Sequence, residues 1–327
     1  MHLRRLLGCA PLALILAAPV APAAEYRTRN FIVSAPSADL AKTFGEYAER
    51  YRQEKALDWL GSVMPDWSRP CPLKVEIKMG QAGGATTFTF GTGPDGRGAV
   101  LSQEMRIFGE VRKLLDSVLP HEITHTVLAY RFGQAVPRWA DEGGSVLSEN
   151  DEERYSHDIR CREILNQGRG ISLTHLFRMT EYPRDMIVVY AQGYSLCQFL
   201  IDAGGKQKFL KFVETGMQRG NRNWEEAVQM YGYGSVDELQ AAWLNDLKTP
   251  PLPMAARAAR NRPATAGALT ANRGSLETRT SGGSGLPRLE PPVVARGSAP
   301  DDRRTAQAKP AAPPLPVLGP PEFPTKK

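Results

Sequence analysis

The sequence predicts an α+β protein in which a small mixed lobe of strands around one long helix precedes a mainly helical lobe, with a cleft between the two. Three observations carry this. Between residues 24 and 108, short apolar or alternating stretches are separated by Gly and Pro clusters and interrupted by a single long helical pattern. From residue 109 to 248 the periodicity is helical almost throughout, punctuated by Gly stops and by Ser or Asn starts. At the join, a helix-like stretch carries two histidines and a glutamate, Leu119-Pro120-His121-Glu122-Ile123-Thr124-His125. The roughly 225 residues of these two segments are enough for one sizeable core or for two lobes sharing a cleft.

The chain opens with His2, Arg4 and Arg5, followed by an apolar stretch from Leu6 to Val20 and the small residues Ala21-Pro22-Ala23. A basic start, an apolar middle and a small-residue cleavage site make residues 1–23 a signal peptide. The protein is therefore expected to be exported, to a periplasm or outside the cell, with cleavage near Ala23. Pro11, Pro19 and Pro22 break the apolar stretch, which argues against a lasting membrane span; a retained N-terminal anchor is the alternative.

Residues 24–108 make the α/β lobe. Asn30-Phe31-Ile32-Val33 predicts a strand, and Ser37 caps a helix from about Ala38 to Leu60, with Leu40, Phe44, Tyr47, Tyr51 and Leu57 on its apolar face. Leu73, Val75 and Ile77 alternate through Pro72 to Met79 as in a half-buried strand. Gly83-Gly84 turns into another strand that runs to Phe90; with no lysine or helix start behind it, this glycine pair is no phosphate loop. Gly98 to Phe108 is the last strand before the helical lobe.

In that lobe, residues 109–248, Pro120 would remove an i→i−4 hydrogen bond if the first helix began at Glu110, so the helix starts near Leu119 or kinks there. It runs to about Phe132, where Gly133 is a natural stop, and Pro137 is placed to open the next. Asn150-Asp151-Glu152-Glu153 begins a helix reaching about Asn166, on which His157 sits among charged residues and is expected to be solvated. His175 is expected to pack or lie at the surface. Helices follow from Met186 to Ala203, stopped by Gly204-Gly205, from Lys206 to Gln218, and from Trp224 to Met230. Ser235-Val236-Asp237-Glu238 is a capping box for the last, which ends near Lys248.

The chemistry lies in the spacing. His121 and His125 are one helical turn apart, so both imidazoles reach one metal ion, while Glu122 beside them points close to the metal without having to bind it. That is where a general base must sit to take a proton from a water on the metal. If the two helices fold back on each other, His125 and Glu142 stand roughly 10 Å and 8 Å from the turn, which brings Glu142 level with His125 as a third ligand. Two His and one Glu leave a tetrahedral position open, as catalytic zinc sites do.

His121-Glu122-x-x-His125, sixteen intervening residues, then Glu142 within Trp139-Ala140-Asp141-Glu142-Gly143 resembles the gluzincin zinc metallopeptidases, in particular the aminopeptidase-N-like group and its smaller bacterial relatives, the peptidase-MA-like proteins. The resemblance covers roughly residues 98 to 247. It implies a thermolysin-like fold with the zinc cleft between the lobes, one zinc ion held by His121, His125 and Glu142, and Glu122 as base and proton shuttle. Tyr190-Ala191-Gln192-Gly193 is similar to the family's Tyr-x-Lys-Gly segment, which makes Tyr190 the oxyanion stabiliser, with Tyr194 as its rival; Gln192 stands where the family has lysine. It also implies that the last strand, Gly98 to Phe108, borders the cleft and pairs with extended substrate. The aminopeptidases' Gly-x-Met-Glu-Asn segment does not occur before His121, so aminopeptidase specificity is not implied, and Val146 stands where the thermolysin pattern has Asp.

Residues 249–327 hold 15 of the 26 prolines, and the stretch is expected to be disordered, a tether or spacer with polyproline segments able to contact a partner or an anionic envelope surface. Setting aside Arg4, Arg5 and the 12 basic and 5 acidic residues of this tail leaves 27 basic and 30 acidic residues, so the basic character belongs to the tail and nucleic-acid binding is not expected. Cys71, Cys161 and Cys197 follow the leader; one pair could oxidise in an exported protein, and none is spaced as a metal ligand with another. The function expected is an exported zinc peptidase cleaving peptides or proteins. Two alternatives come from other classes: a catalytically inactive, zinc-stabilised peptide-binding module of the envelope, and a scaffold acting through its proline-rich tail.

Overall fold

A computed structural model describes residues 23–251. The expected signal peptide and nearly all of the proline-rich tail lie outside the described residues.

The structure is a mixed α/β arrangement built on a five-stranded sheet. Its strands are β1 (Ala24–Arg27), β2 (Phe31–Ala35), β3 (Cys71–Ile77), β4 (Gly83–Thr92) and β5 (Gly98–Gly109), in the spatial order β1-β2-β3-β5-β4. β2, β3 and β5 run parallel, and β1 and β4 are antiparallel at the two edges. β1 is absent from the sequence reading: four residues alternating between half-buried and exposed offer little pattern to detect. The order also bears on which strand could pair with a substrate. β5, the last strand, is paired on both sides from Met105 to Phe108, whereas β4 pairs only with β5 among the described strands and leaves its other edge free.

Helix α1 (Ala38–Leu60) starts where Ser37 accepts a hydrogen bond from the Leu40 N–H, a cap worth about 1 kcal/mol, and stops at Gly61 in the left-handed region (φ 73°). Its buried face is Ala41, Phe44, Ala48, Arg52, Ala56 and Trp59, while Leu57 is 52% exposed, contrary to expectation. Arg52 survives burial because its guanidinium donates to the Met64 and Pro65 carbonyls and lies 4.6 Å over the Trp67 ring.

Helical structure begins earlier than expected, at α2 (Val111–Lys113), and passes through a π turn (Leu114–Val118) into α3 (Leu119–Phe132). The wide turn accommodates Pro120, which has no N–H to give and whose ring would collide with the carbonyl four residues back. The Leu119 N–H reaches Leu114 O, five residues back, and the Leu115 carbonyl accepts instead from the Tyr51 hydroxyl on α1 at 2.9 Å. A hydrogen bond lost inside the helix is thus replaced from a neighbour.

Two hydrophobic cores meet along α1 and α3. Phe44, Leu119 and Ile123 belong to the core under the sheet; Trp59, Val127 and Leu128 belong to the helical core. The helical part comprises α4 (Arg138–Val146), α5 (Asp151–Asn166), α6 (Leu173–Leu176), α7 (Met186–Asn221), α8 (Trp224–Ala227) with a following 3-10 turn (Val228–Tyr231), and α9 (Val236–Asp246). Asn150 and Ser235 cap α5 and α9 through the N–H groups of Glu153 and Glu238. α7 is broken at Gly205 (φ 75°, ψ 167°), where the Gly204-Gly205 pair was expected to end a helix. Cys71, Cys161 and Cys197 are all free and buried. Among the described residues, no helix is long and apolar enough to cross a membrane.

Candidate metal centre

α3 presents His121 and His125 on one face, their rings 4.9 Å apart, and α4 returns Glu142 against them. Glu142 Oε2 lies 3.5 Å from His121 Nε2 and 3.6 Å from His125 Nε2, and the three ligand atoms all fall within 4.8 Å of one another. All three residues are buried, and Oε2 has no hydrogen-bond partner. A buried carboxylate oxygen left unpaired between two imidazole nitrogens is costly by itself and well suited to a cation. This group could hold a metal ion.

The imidazoles are oriented from behind. His121 Nδ1 is 2.7 Å from Glu149 Oε1, and His125 Nδ1 is 2.8 Å from Asp141 Oδ1. Each carboxylate accepts a proton from Nδ1, so that the neutral ring a metal requires would turn its Nε2 lone pair towards Glu142. Burial works against the charged form of both histidines, but the adjacent carboxylates of Glu142 and Glu149 hold the pKa of His121 well above its ordinary value. Asp141 and Glu142 likewise lift His125 to about 9. Burial opposes the Glu142 carboxylate too, and His125 and His121 overcome it, lowering its pKa to about 2. The imidazoles and the carboxylates thus stabilise one another's charged forms, and a metal ion bound there would take the place of the protons between them.

Glu122 is buried beside the ligands without being one of them. Its Oε2 accepts a 2.6 Å hydrogen bond from the Thr86 hydroxyl on β4. Burial raises its pKa, with His125, His121 and Thr86 acting in the opposite direction, which moves a carboxylate towards the range useful in proton transfer. Gly84, two residues before Thr86 on the free-edge strand, is pressed against it: a Cβ there would meet Glu122 Oε1 at 2.4 Å.

Tyr190, near the start of α7, lays its ring parallel to His121 at 6.3 Å. Burial and the charge of Glu142 raise its phenol pKa, so it remains a donor. Tyr194 instead packs its ring 6.2 Å from His157. Gln192, where the resembling family has lysine, turns into the core and clamps Ile171 through both its N–H (2.7 Å) and its carbonyl (3.0 Å). His157 is not solvated as expected: only 14% of its side chain is exposed, with Nε2 3.8 Å from Glu149 and its ring 6.4 Å from Tyr190. His175 is half-buried on α6.

Sequence reasoning missed Thr86, Glu149 and Tyr182, and quoted Asp141 without giving it a role. The Tyr182 hydroxyl, from the segment between α6 and α7, donates to Glu142 Oε1. Of the four, only Asp141 carries a local signal, its adjacency to Glu142; the others are brought in by packing. Comparison with protein-family models and with curated proteins finds no match to the chain.

Proposed function

We propose that this protein is an exported, zinc-dependent peptidase of gluzincin type that hydrolyses peptide bonds. The observation that carries this is the pairing of a three-ligand, two-nitrogen and one-carboxylate cluster with a separate buried carboxylate, Glu122, held beside it and bound to none of its members. Two His, each oriented by a second carboxylate, and one Glu suit zinc better than a hard cation such as calcium, which prefers an all-oxygen shell. Zinc bound there would polarise a carbonyl and make water acidic enough to lose a proton near neutral pH.

The chain's own residues then divide the work. Glu122 takes the proton of the attacking water and delivers it to the leaving amine, with Thr86 keeping its carboxylate in place. Tyr190 donates to the developing oxyanion. The free edge of β4, which carries Gly84 and Thr86 next to Glu122, supports the reading of a peptide substrate, since an extended chain can pair with it through backbone groups alone.

The test is metal content and cleavage on the same preparations. About one zinc per chain in the parent and a clear loss in Glu142→Ala are expected, together with cleavage of a peptide library by the parent. A parent chain that takes up no zinc even when it is supplied would sink the proposal. Zinc binding without cleavage would favour the peptide-binding module.

A further inference from the structure

Resting on the metal-centre reading, we infer that Tyr182 is a positioning residue that holds Glu142 to a single ligand oxygen and so keeps one coordination position open. The two oxygens of Glu142 have different surroundings. Oε2 faces both histidine Nε2 atoms and has no hydrogen-bond partner, whereas Oε1 accepts the hydroxyl proton of Tyr182. A carboxylate with one oxygen tied in this way cannot swing to offer both to a cation. Released, it could chelate, and the second oxygen would enter as a fifth ligand, crowding the place that water or a substrate carbonyl must take.

Tyr182 is itself fixed by Arg138, at the start of the helix that carries Glu142. The Arg138 guanidinium lies 4.4 Å over the Tyr182 ring and donates from Nη1 to the hydroxyl oxygen at 3.3 Å. Its Nε donates to Thr180 O at 3.2 Å, and its backbone N–H to Met179 O at 3.2 Å. Segment 179–182 is thereby clamped to the first turn of α4, and the Tyr182 hydroxyl and the Glu142 carboxylate are positioned by one rigid unit. A cation donating to the phenol oxygen also makes the phenol a stronger donor towards Glu142. At 37% exposure Tyr182 contributes little core packing, which favours the orienting role over a purely structural one.

Cobalt(II) provides a readout independent of activity, because its visible bands weaken as a fourth ligand gives way to a fifth. In the full chain, Tyr182→Phe is expected to bind cobalt roughly 10- to 100-fold more weakly, with lower visible absorption per bound ion than the parent. Arg138→Met, which keeps both Tyr182 and Glu142, is expected to shift both readouts in the same direction by less, and stands in if Tyr182→Phe does not fold. Parent-like affinity and spectrum in the variants overturn the role of Tyr182 alone. A parent chain that binds no cobalt overturns the metal centre, and this role with it.

Discussion

Gly143, immediately after the ligand Glu142, lies directly against the backbone of Gly193: a Cβ at 143 would stand 2.2 Å from the Gly193 carbonyl carbon and 2.3 Å from its oxygen. The contact is reciprocal in kind, since a Cβ at 193 would come within 2.5 Å of Trp139 O. Two glycines, one in each of two motifs separated by fifty positions of chain, thus let α4 and α7 touch backbone to backbone. This approach brings Tyr190 within range of His121 and Glu142.

Because the obstructing atoms at Gly143 are main chain, they cannot turn aside. Gly143→Ala is expected to destabilise the fold by about 1–3 kcal/mol or more, through overpacking. Denaturant unfolding monitored by circular dichroism measures it directly. A midpoint equal to the parent's would show that the two helices are free to separate.

Gly84 presents the opposite case. Its Cβ would strike the carboxyl end of Glu122, with Oε1 at 2.4 Å and Cδ and Cγ at 2.8 Å, and a flexible side chain can move away at small cost in stability. The expected outcome for Gly84→Ala is a folded chain with parent-like zinc content and turnover reduced roughly 100-fold, by displacement of the base alone. Glu122→Gln should also keep its zinc and lose more, on the order of 10²–10⁴-fold. Peptide turnover of the two variants, normalised to bound zinc, decides the matter; full activity in Glu122→Gln would remove Glu122 from the role of base.

The three cysteines make a prediction about pH. Burial pushes the thiols of Cys71 and Cys161 up to about 12, and that of Cys197 well above its ordinary value. At pH 8 only about one molecule in 10⁴ carries the thiolate at a group titrating near 12, and the thiolate is the species that reacts. Iodoacetamide at pH 8 should therefore leave Cys71, Cys161 and Cys197 unmodified in the native chain and alkylate all three in denaturant. While the fold persists, the native rate should climb about tenfold per pH unit towards 12. Mass spectrometry resolves the products, and labelling of the native chain at the denatured rate would contradict the buried placement.

The elements that were legible in the sequence are those whose causes are local. Ser37, Asn150 and Ser235 each cap a helix through an N–H three residues on, and Gly61 and Gly133 each end one with a positive φ. His121 and His125 share a face because a helical turn puts them there, and the distance of Glu142 from the Gly133–Pro137 turn is enough to level it with them. The amphipathic faces were less secure. Leu57 was assigned inward and lies outward, because small residues and an Arg52 satisfied by two carbonyls and the Trp67 ring fill the side of α1 that packs.

What the sequence alone determined is therefore most of the elements and the three metal-ligating candidates, since helix hydrogen bonds and i, i+4 neighbours need no information beyond a few residues. Only the tertiary structure decided which strand is left with a free edge, and that Thr86, Glu149 and Tyr182 reach Glu122, His121 and Glu142 from 36, 28 and 40 positions away. Strand order and carboxylate partners depend on how non-local surfaces fit together, and no periodicity in the chain encodes such a fit.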